Sequence, residues 1–177
     1  MQSYTYRLFG MTLKSEFSFP ELASVATRKM VPGKTISIGP RDFPLPHFSK
    51  DGWRSFYGLD YWFSPQQPFA VIRSLSAGSY RIHFREKRID WMPDQGTSTE
   101  LARHVLAGRV MGLLLCHQLP SFLLHAGVVV REGQGICFCG VISQGKSTLT
   151  ACFLNGGFSL LSDDIAVIQR KKGRFLL

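Results

Sequence analysis

Short runs of alternating apolar and polar residues dominate the first half of the chain. Tyr4–Phe9, Thr35–Ile38, Phe69–Leu75, Tyr80–Phe84 and Arg88–Trp91 each show the two-residue period of a half-buried strand. Pro, Gly and Ser residues separate them, and Ala77-Gly78-Ser79 and Arg85–Lys87 have the composition of meander turns. Gly39–Gly58 is aromatic-rich and fits neither period, so no element is assigned there. The rhythm changes near Thr97. Pro93-Asp94-Gln95-Gly96 ends the strand pattern, and Thr97-Ser98-Thr99-Glu100 offers a capping box in which the Thr97 hydroxyl and Glu100 carboxylate satisfy each other's unpaired amides. Leu101, Val105, Gly108, Gly112 and Leu115 follow at helical spacing, and Pro120 stops the run. A buried linking helix is predicted, with Gly108 and Gly112 suited to close packing against a sheet.

Beyond Pro120 the pattern returns to strands, at Phe122–Leu124, Val128–Arg131 and Ile136–Cys139, with Glu132–Gly135 as the hairpin turn between the last two. A helix is predicted from about Ser147 to Asn155, closed by a left-handed cap at Gly156-Gly157. Leu160–Leu161, Ile165–Gln169 and Phe175–Leu177 supply further strands. The expected fold is therefore α+β overall: a β-rich domain over 1–96, a linking helix over 97–119, and an α/β core over 120–177.

Composition narrows the classes of function. The chain has 177 residues, 45% hydrophobic and 19% charged, which fits a folded domain rather than a disordered one. Its net charge of +9 raises nucleic acid or an anionic membrane as partners. The charge is spread evenly, however, with 13 Lys/Arg against 8 Asp/Glu up to Thr97 and 8 against 4 after it, so neither partner is expected. Arg170, Lys171, Lys172 and Arg174 surround Gly173 and read as a solvated hairpin turn. There is no apolar leader, and the longest apolar run, Val105–Cys116, is broken by Arg109 and too short to span a bilayer. A cytoplasmic location is expected. Cys116, Cys137, Cys139 and Cys152 have neither zinc nor disulfide spacing and read as buried free thiols.

The chemistry lies after residue 120. Gly140-Val141-Ile142-Ser143-Gln144-Gly145-Lys146-Ser147 fits G-x-x-x-x-G-K-[ST] and stands between a strand and a helix, the context that motif requires. Glycines let backbone amides converge on phosphate oxygens, Lys146 reaches the terminal phosphates, and Ser147 offers a hydroxyl to Mg²⁺. Gly140, Ser143, Gln144, Gly145, Lys146, Ser147 and Thr148 thus form the expected nucleotide-binding set. Ser143 lacks the conformational freedom of a glycine. Asp163 and Asp164 sit together near a strand end, where one carboxylate can hold Mg²⁺ while the other accepts the proton of an attacking hydroxyl. His125 follows the Phe122–Leu124 run at an expected strand end, whereas His47, His83, His104 and His117 read as structural.

Leu124-His125-Ala126-Gly127, the glycine-rich loop and Leu160-Leu161-Ser162-Asp163-Asp164, in that order, resemble the catalytic core of the HPr serine kinase/phosphorylase family. The core of ATP-dependent phosphoenolpyruvate carboxykinases is similar. The likeness covers Pro120 to Gln169. Tyr6-Arg7-Leu8-Phe9-Gly10 with Pro20-Glu21-Leu22 looks like the HPr-kinase-related proteins encoded with lasso-peptide biosynthesis genes. The resemblance implies a P-loop kinase using ATP and Mg²⁺ to phosphorylate a serine of a precursor peptide or small protein, and a homo-oligomer is compatible with it. It implies that Lys146 and Ser147 take the nucleotide, that His125 stands beside the transferred phosphoryl group, and that Asp163 and Asp164 divide the base and metal roles in an order left open. Ser147, Asp163 and Asp164 are then the metal ligands. Thr148 replaces the glutamate of bifunctional HPr kinases, and Ile142-Ser143 replaces their usual Ser-Gly, which argues against phosphorylase activity. These families continue well past the Asp-Asp strand. An incomplete core is therefore expected, with marginal stability, association through the C-terminal region and little turnover, and a non-catalytic nucleotide-binding role stays open beside the kinase.

Overall fold

A computed structural model describes residues 3–176 apart from 9, 34, 48–51, 57, 119–120, 142 and 164. The chain is mixed α+β with strands dominating, and it divides into two compact units, Met1–Leu114 and Leu115–Leu177.

The first unit contains β1 (Tyr4–Leu8), β2 (Met11–Ser15), β3 (Thr35–Pro40), β4 (Trp53–Phe56), β5 (Leu59–Phe63), β6 (Phe69–Ser74), β7 (Gly78–His83) and β8 (Arg88–Met92). They form one sheet in the order β1-β2-β3-β8-β7-β6-β5-β4. Pairing is antiparallel except for β2 with β3 and β3 with β8. The alternating runs form strands as predicted. Three further strands, β2, β4 and β5, fall where no strand was predicted, and β4 lies inside the stretch that fits neither period.

Helix α1 (Thr99–Val105) continues through a π-helical segment at Leu106–Val110 into α2 (Met111–Gln118). Its cap corrects the expected one by a residue: the Ser98 hydroxyl accepts from the Leu101 amide at 3.3 Å, while the Thr97 Oγ1 is buried without a partner. Ser98 has the extended backbone that a capping residue needs. The core of the first unit is built from Leu13, Ile36, Ile38, Val71, Ile72, Ile82 and Ile89 of the sheet with Leu106, Val110 and Leu114 of the helix. Tyr80 is buried among them, and its hydroxyl reaches the carbonyl oxygens of Ala77 at 3.0 Å and Ala102 at 2.9 Å, tying sheet to helix.

One buried carboxylate organises the polar side of this sheet. Asp90 is 4% exposed and accepts from Arg88 Nε at 2.9 Å and pairs with His83 Nε2 at 2.8 Å, with Arg41 at 3.5 Å. His83 is thus the satisfied structural residue the sequence suggested. Burial alone would raise the Asp90 carboxyl, but the hydrogen bonds and charges of Arg88 and His83 outweigh it and hold the group below its usual value. A lowered folded value means that this carboxylate stabilises the fold fully above the ordinary aspartate value, near 3.9, and that the contribution fades as pH falls from there down through the lowered folded value. Asp90→Asn is expected to cost about 2–3 kcal/mol in denaturant melts at pH 7 and to flatten the loss of stability on acidification. Equal stability of the two proteins at pH 7 would show that the cluster contributes nothing.

The second unit is built on β9 (Ser121–Arg131). This corrects the expectation of two strands around a break, because the chain runs straight through His125, Ala126 and Gly127. The backbone stays extended since both edges of β9 are occupied. One edge pairs with β10 (Gln134–Cys139), and the other pairs in turn with β12 (Ile165–Lys171) and β11 (Ser159–Ser162). β13 (Arg174–Leu176) extends the sheet beyond β12. Two-residue turns close both hairpins. Glu132-Gly133 has φ of 54° and 74°, and Lys172-Gly173 has 49° and 77°, the left-handed pair of a type I′ turn. Among the described residues no helix is long and apolar enough to cross a membrane.

Candidate functional site

The glycine-rich loop leaves β10 after Cys139 and enters α3 (Lys146–Asn155). Among its described residues two are left-handed: Ser143 at φ 66° and Gly145 at φ 76°. Gly145 adopts this backbone without strain, whereas Ser143 carries a Cβ into it at a cost of about 1 kcal/mol. Gly145 occupies the cap position of α3 with no side-chain hydrogen bond to the first turn, and that turn holds no acidic residue. The amides opening α3 have no side-chain cap from Gly145, which suits them to an external acceptor, and the helix dipole makes that end electropositive. Lys146 Nζ donates to the Val141 carbonyl at 3.0 Å, which keeps the ammonium over the loop. Ser147 and Thr148 are exposed beside it. Ile142 lies outside the described residues.

Helix α3 is fixed from both ends. Its C-terminus closes at Gly156-Gly157 as predicted, with Phe158 N bonded to Phe153 O at 3.1 Å and Gly157 N to Leu154 O at 3.0 Å. Those are the two bonds of a Schellman motif around the left-handed Gly157. Phe153 packs on Phe138 of β10, with ring centroids 5.0 Å apart. Near the N-terminal end the helix rests on Gly127. A Cβ there would run into Thr150 Oγ1, and Thr150 is 3% exposed with its hydroxyl donated to Lys146 O at 2.9 Å. Gly127 therefore sets how closely the start of α3 approaches the sheet. Gly127→Ala is expected to cost about 1–3 kcal/mol through overpacking, and adding Thr150→Ala should recover at least about 1 kcal/mol in denaturant melts. Strictly additive effects would mean that the helix does not seat on this glycine.

The register of β9 brings the remaining candidates to the same place. Cys139, the last residue before the loop, pairs with Ala126, and Ile165, the first residue of β12, pairs with His125. Asp163 follows Ser162, which is opposite Val128, and precedes Ile165, which is opposite His125, so it lies at the level of residues 125–128 of β9. The loop on one edge and Asp163 on the other thus converge on residues 125–127. Alternation places the His125 side chain on the same sheet face as Gly127, the face that α3 covers. His125 and Asp163 are both exposed. The Ser162 hydroxyl donates to Ile165 O at 2.6 Å and closes the turn that bears Asp163. His125 is in mid-strand rather than at the expected strand end. Asp164 lies outside the described residues, so its role is untouched by this geometry.

Sequence reasoning missed two contributors. Thr150 carries no motif signal, and Ser162 stands within the Leu160–Asp164 run without a role of its own in it; only the packing on Gly127 and the Ser162–Ile165 hydrogen bond show that one seats the helix and the other fastens the turn bearing Asp163. The cysteines also differ from expectation, since Cys116, Cys139 and Cys152 are exposed and Cys137 is half-buried. Apolar neighbours in sequence do not bury a thiol when its own side of the helix or strand is turned outward.

The donor set suits a metal-bound triphosphate: uncapped amides and an ammonium for phosphate oxygens, and a hydroxyl and a carboxylate for Mg²⁺. Among the described residues no three His, Cys, Asp or Glu side chains cluster as a self-contained metal cage. A magnesium ion carried by phosphates needs only one or two protein ligands. No family model, curated protein or solved structure matches the chain.

Proposed function

We propose that the chain is an ATP-dependent serine kinase of a peptide or small protein, with the nucleotide phosphates on the loop at 140–148. The observation that supports this most is the convergence on β9: a left-handed Gly145 opening an uncapped helix on one edge, and Asp163 on the other, both against residues 125–127. In this reading the amides at the start of α3 and Lys146 hold the terminal phosphates, and Ser147 with one of Asp163 and Asp164 takes Mg²⁺. The ion, when bound, neutralises charge that builds on the phosphate oxygens. The other carboxylate accepts the serine hydroxyl proton, and His125 stands on the same sheet face to orient the transferred group. The fit of this core to the HPr-kinase-like pattern lies in the order of the same three segments.

The test is incubation of the chain with labelled ATP, with and without Mg²⁺, and serine-containing peptides, including any precursor peptide encoded next to the gene. Magnesium-dependent label on serine supports the kinase. Nucleotide binding without transfer supports the non-catalytic reading, and absence of both defeats the proposal.

A further inference from the structure

We infer that Cys137 and Cys139 form a two-thiolate binding site for a soft, thiophilic ion, on the sheet face opposite α3 and directly ahead of the glycine-rich loop. The two stand two residues apart on β10, so the strand pleat sends both side chains to one face. That face carries the buried cluster Ala126, Val128 and Ala166, against which Cys137 packs. Helix α3 lies on the opposite face through Phe138, so it does not cover the thiols.

Distance decides which chemistry the pair can perform. The two Sγ atoms are 3.7 Å apart. Two thiolates bound at about 2.3 Å in a tetrahedral arrangement stand about 3.8 Å apart, so an ion fits between them with almost no movement. A disulfide needs sulfurs about 2.05 Å apart and Cβ atoms within about 4.5 Å. Residues two apart on a strand are about 6.6 Å apart, so direct S–S bonding would demand backbone distortion. Leu124, Val130, Leu161 and Ile168 line the same groove as Cys137 and supply a low-polarity surround, which suits a polarisable ion and an organic substituent on it.

A monosubstituted trivalent arsenical, which already carries one As–C bond, is satisfied by two sulfurs. An arsenoxide group reacts with two thiols by breaking both S–H bonds and forming two As–S bonds, and its oxygen leaves as water with no change in oxidation state. Because the oxide takes both protons, the reaction proceeds at neutral pH although burial, and then the neighbouring Cys139 thiol, push the Cys137 thiol up to about 11.

The experiment titrates the reduced 177-residue chain with phenylarsine oxide and counts bound equivalents by native mass spectrometry. One equivalent is expected on the wild type and on Cys116→Ser/Cys152→Ser, resistant to excess monothiol and stripped by a dithiol. Cys139→Ser and Cys137→Ser should each bind at least ~100-fold more weakly, because the second sulfur supplies the high effective concentration. Cys137→Ala replaces the serine variant if serine disturbs the apolar face. Wild-type affinity in the Cys139 variant, or no uptake by the wild type, would overturn the site. Neither result depends on nucleotide binding.

Discussion

Lys146→Ala is expected to weaken ATP binding by at least ~30-fold while leaving the melting transition of the chain in place. An ammonium bonded to phosphate oxygens in a partly dehydrated loop contributes about 2–3 kcal/mol. Among the described residues the same group bonds to the Val141 carbonyl, and it is half-exposed, so its removal costs the fold little. Gly145→Val attacks the same function through the backbone. At φ 76° a β-branched residue is strongly disfavoured, so the loop must leave its left-handed turn and the amides opening α3 lose their common direction. Binding measured by calorimetry should then fall below detection. Unchanged affinity in both variants would remove the loop from the account.

Asp163→Asn is expected to lower the rate of phosphoryl transfer by about 10²–10⁴-fold, with nucleotide affinity changed far less. An amide neither accepts the hydroxyl proton nor neutralises Mg²⁺, whichever of the two roles this position has. The side chain is exposed, and the Ser162–Ile165 hydrogen bond that closes its turn does not involve it, so the variant should fold normally. Single-turnover rates separate the chemical step from binding. A wild-type rate in Asp163→Asn would shift the whole acid–base role to Asp164 or dismiss the acidic pair.

Much of this arrangement was legible in the chain because it rests on local rules. Glycine-bearing turns between strand-like runs marked both hairpins, although the first loop is Glu132-Gly133 alone rather than the expected Glu132–Gly135, and Gly156-Gly157 marked the end of α3. The loop could be read since glycine, lysine and serine at fixed spacing act through backbone geometry rather than through distant contacts. The continuity of β9 was not legible. His125, Ala126 and Gly127 interrupt its apolar pattern, and they do so because a helix seats on Gly127, a long-range cause that no local window contains. β5 escaped for a related reason: Tyr61-Trp62-Phe63 breaks the alternation of Leu59–Phe63, and its neighbours in the sheet make it a strand, whereas Met11–Ser15 does alternate, so β2 was legible and was missed. The Asp90 cluster was equally hidden, since its partners are identified only once β7 and β8 are paired.

The central claim is that the amides opening α3 hold phosphate. Its most direct test follows the backbone amide resonances of the isotope-labelled chain during titration with ATP, inorganic triphosphate and adenosine, each with Mg²⁺. Saturable shifts are expected for Gly145, Lys146, Ser147 and Thr148 with ATP and with triphosphate, and none at these amides with adenosine. Amides in the loop that stay still with ATP, or that respond equally to adenosine, would contradict it.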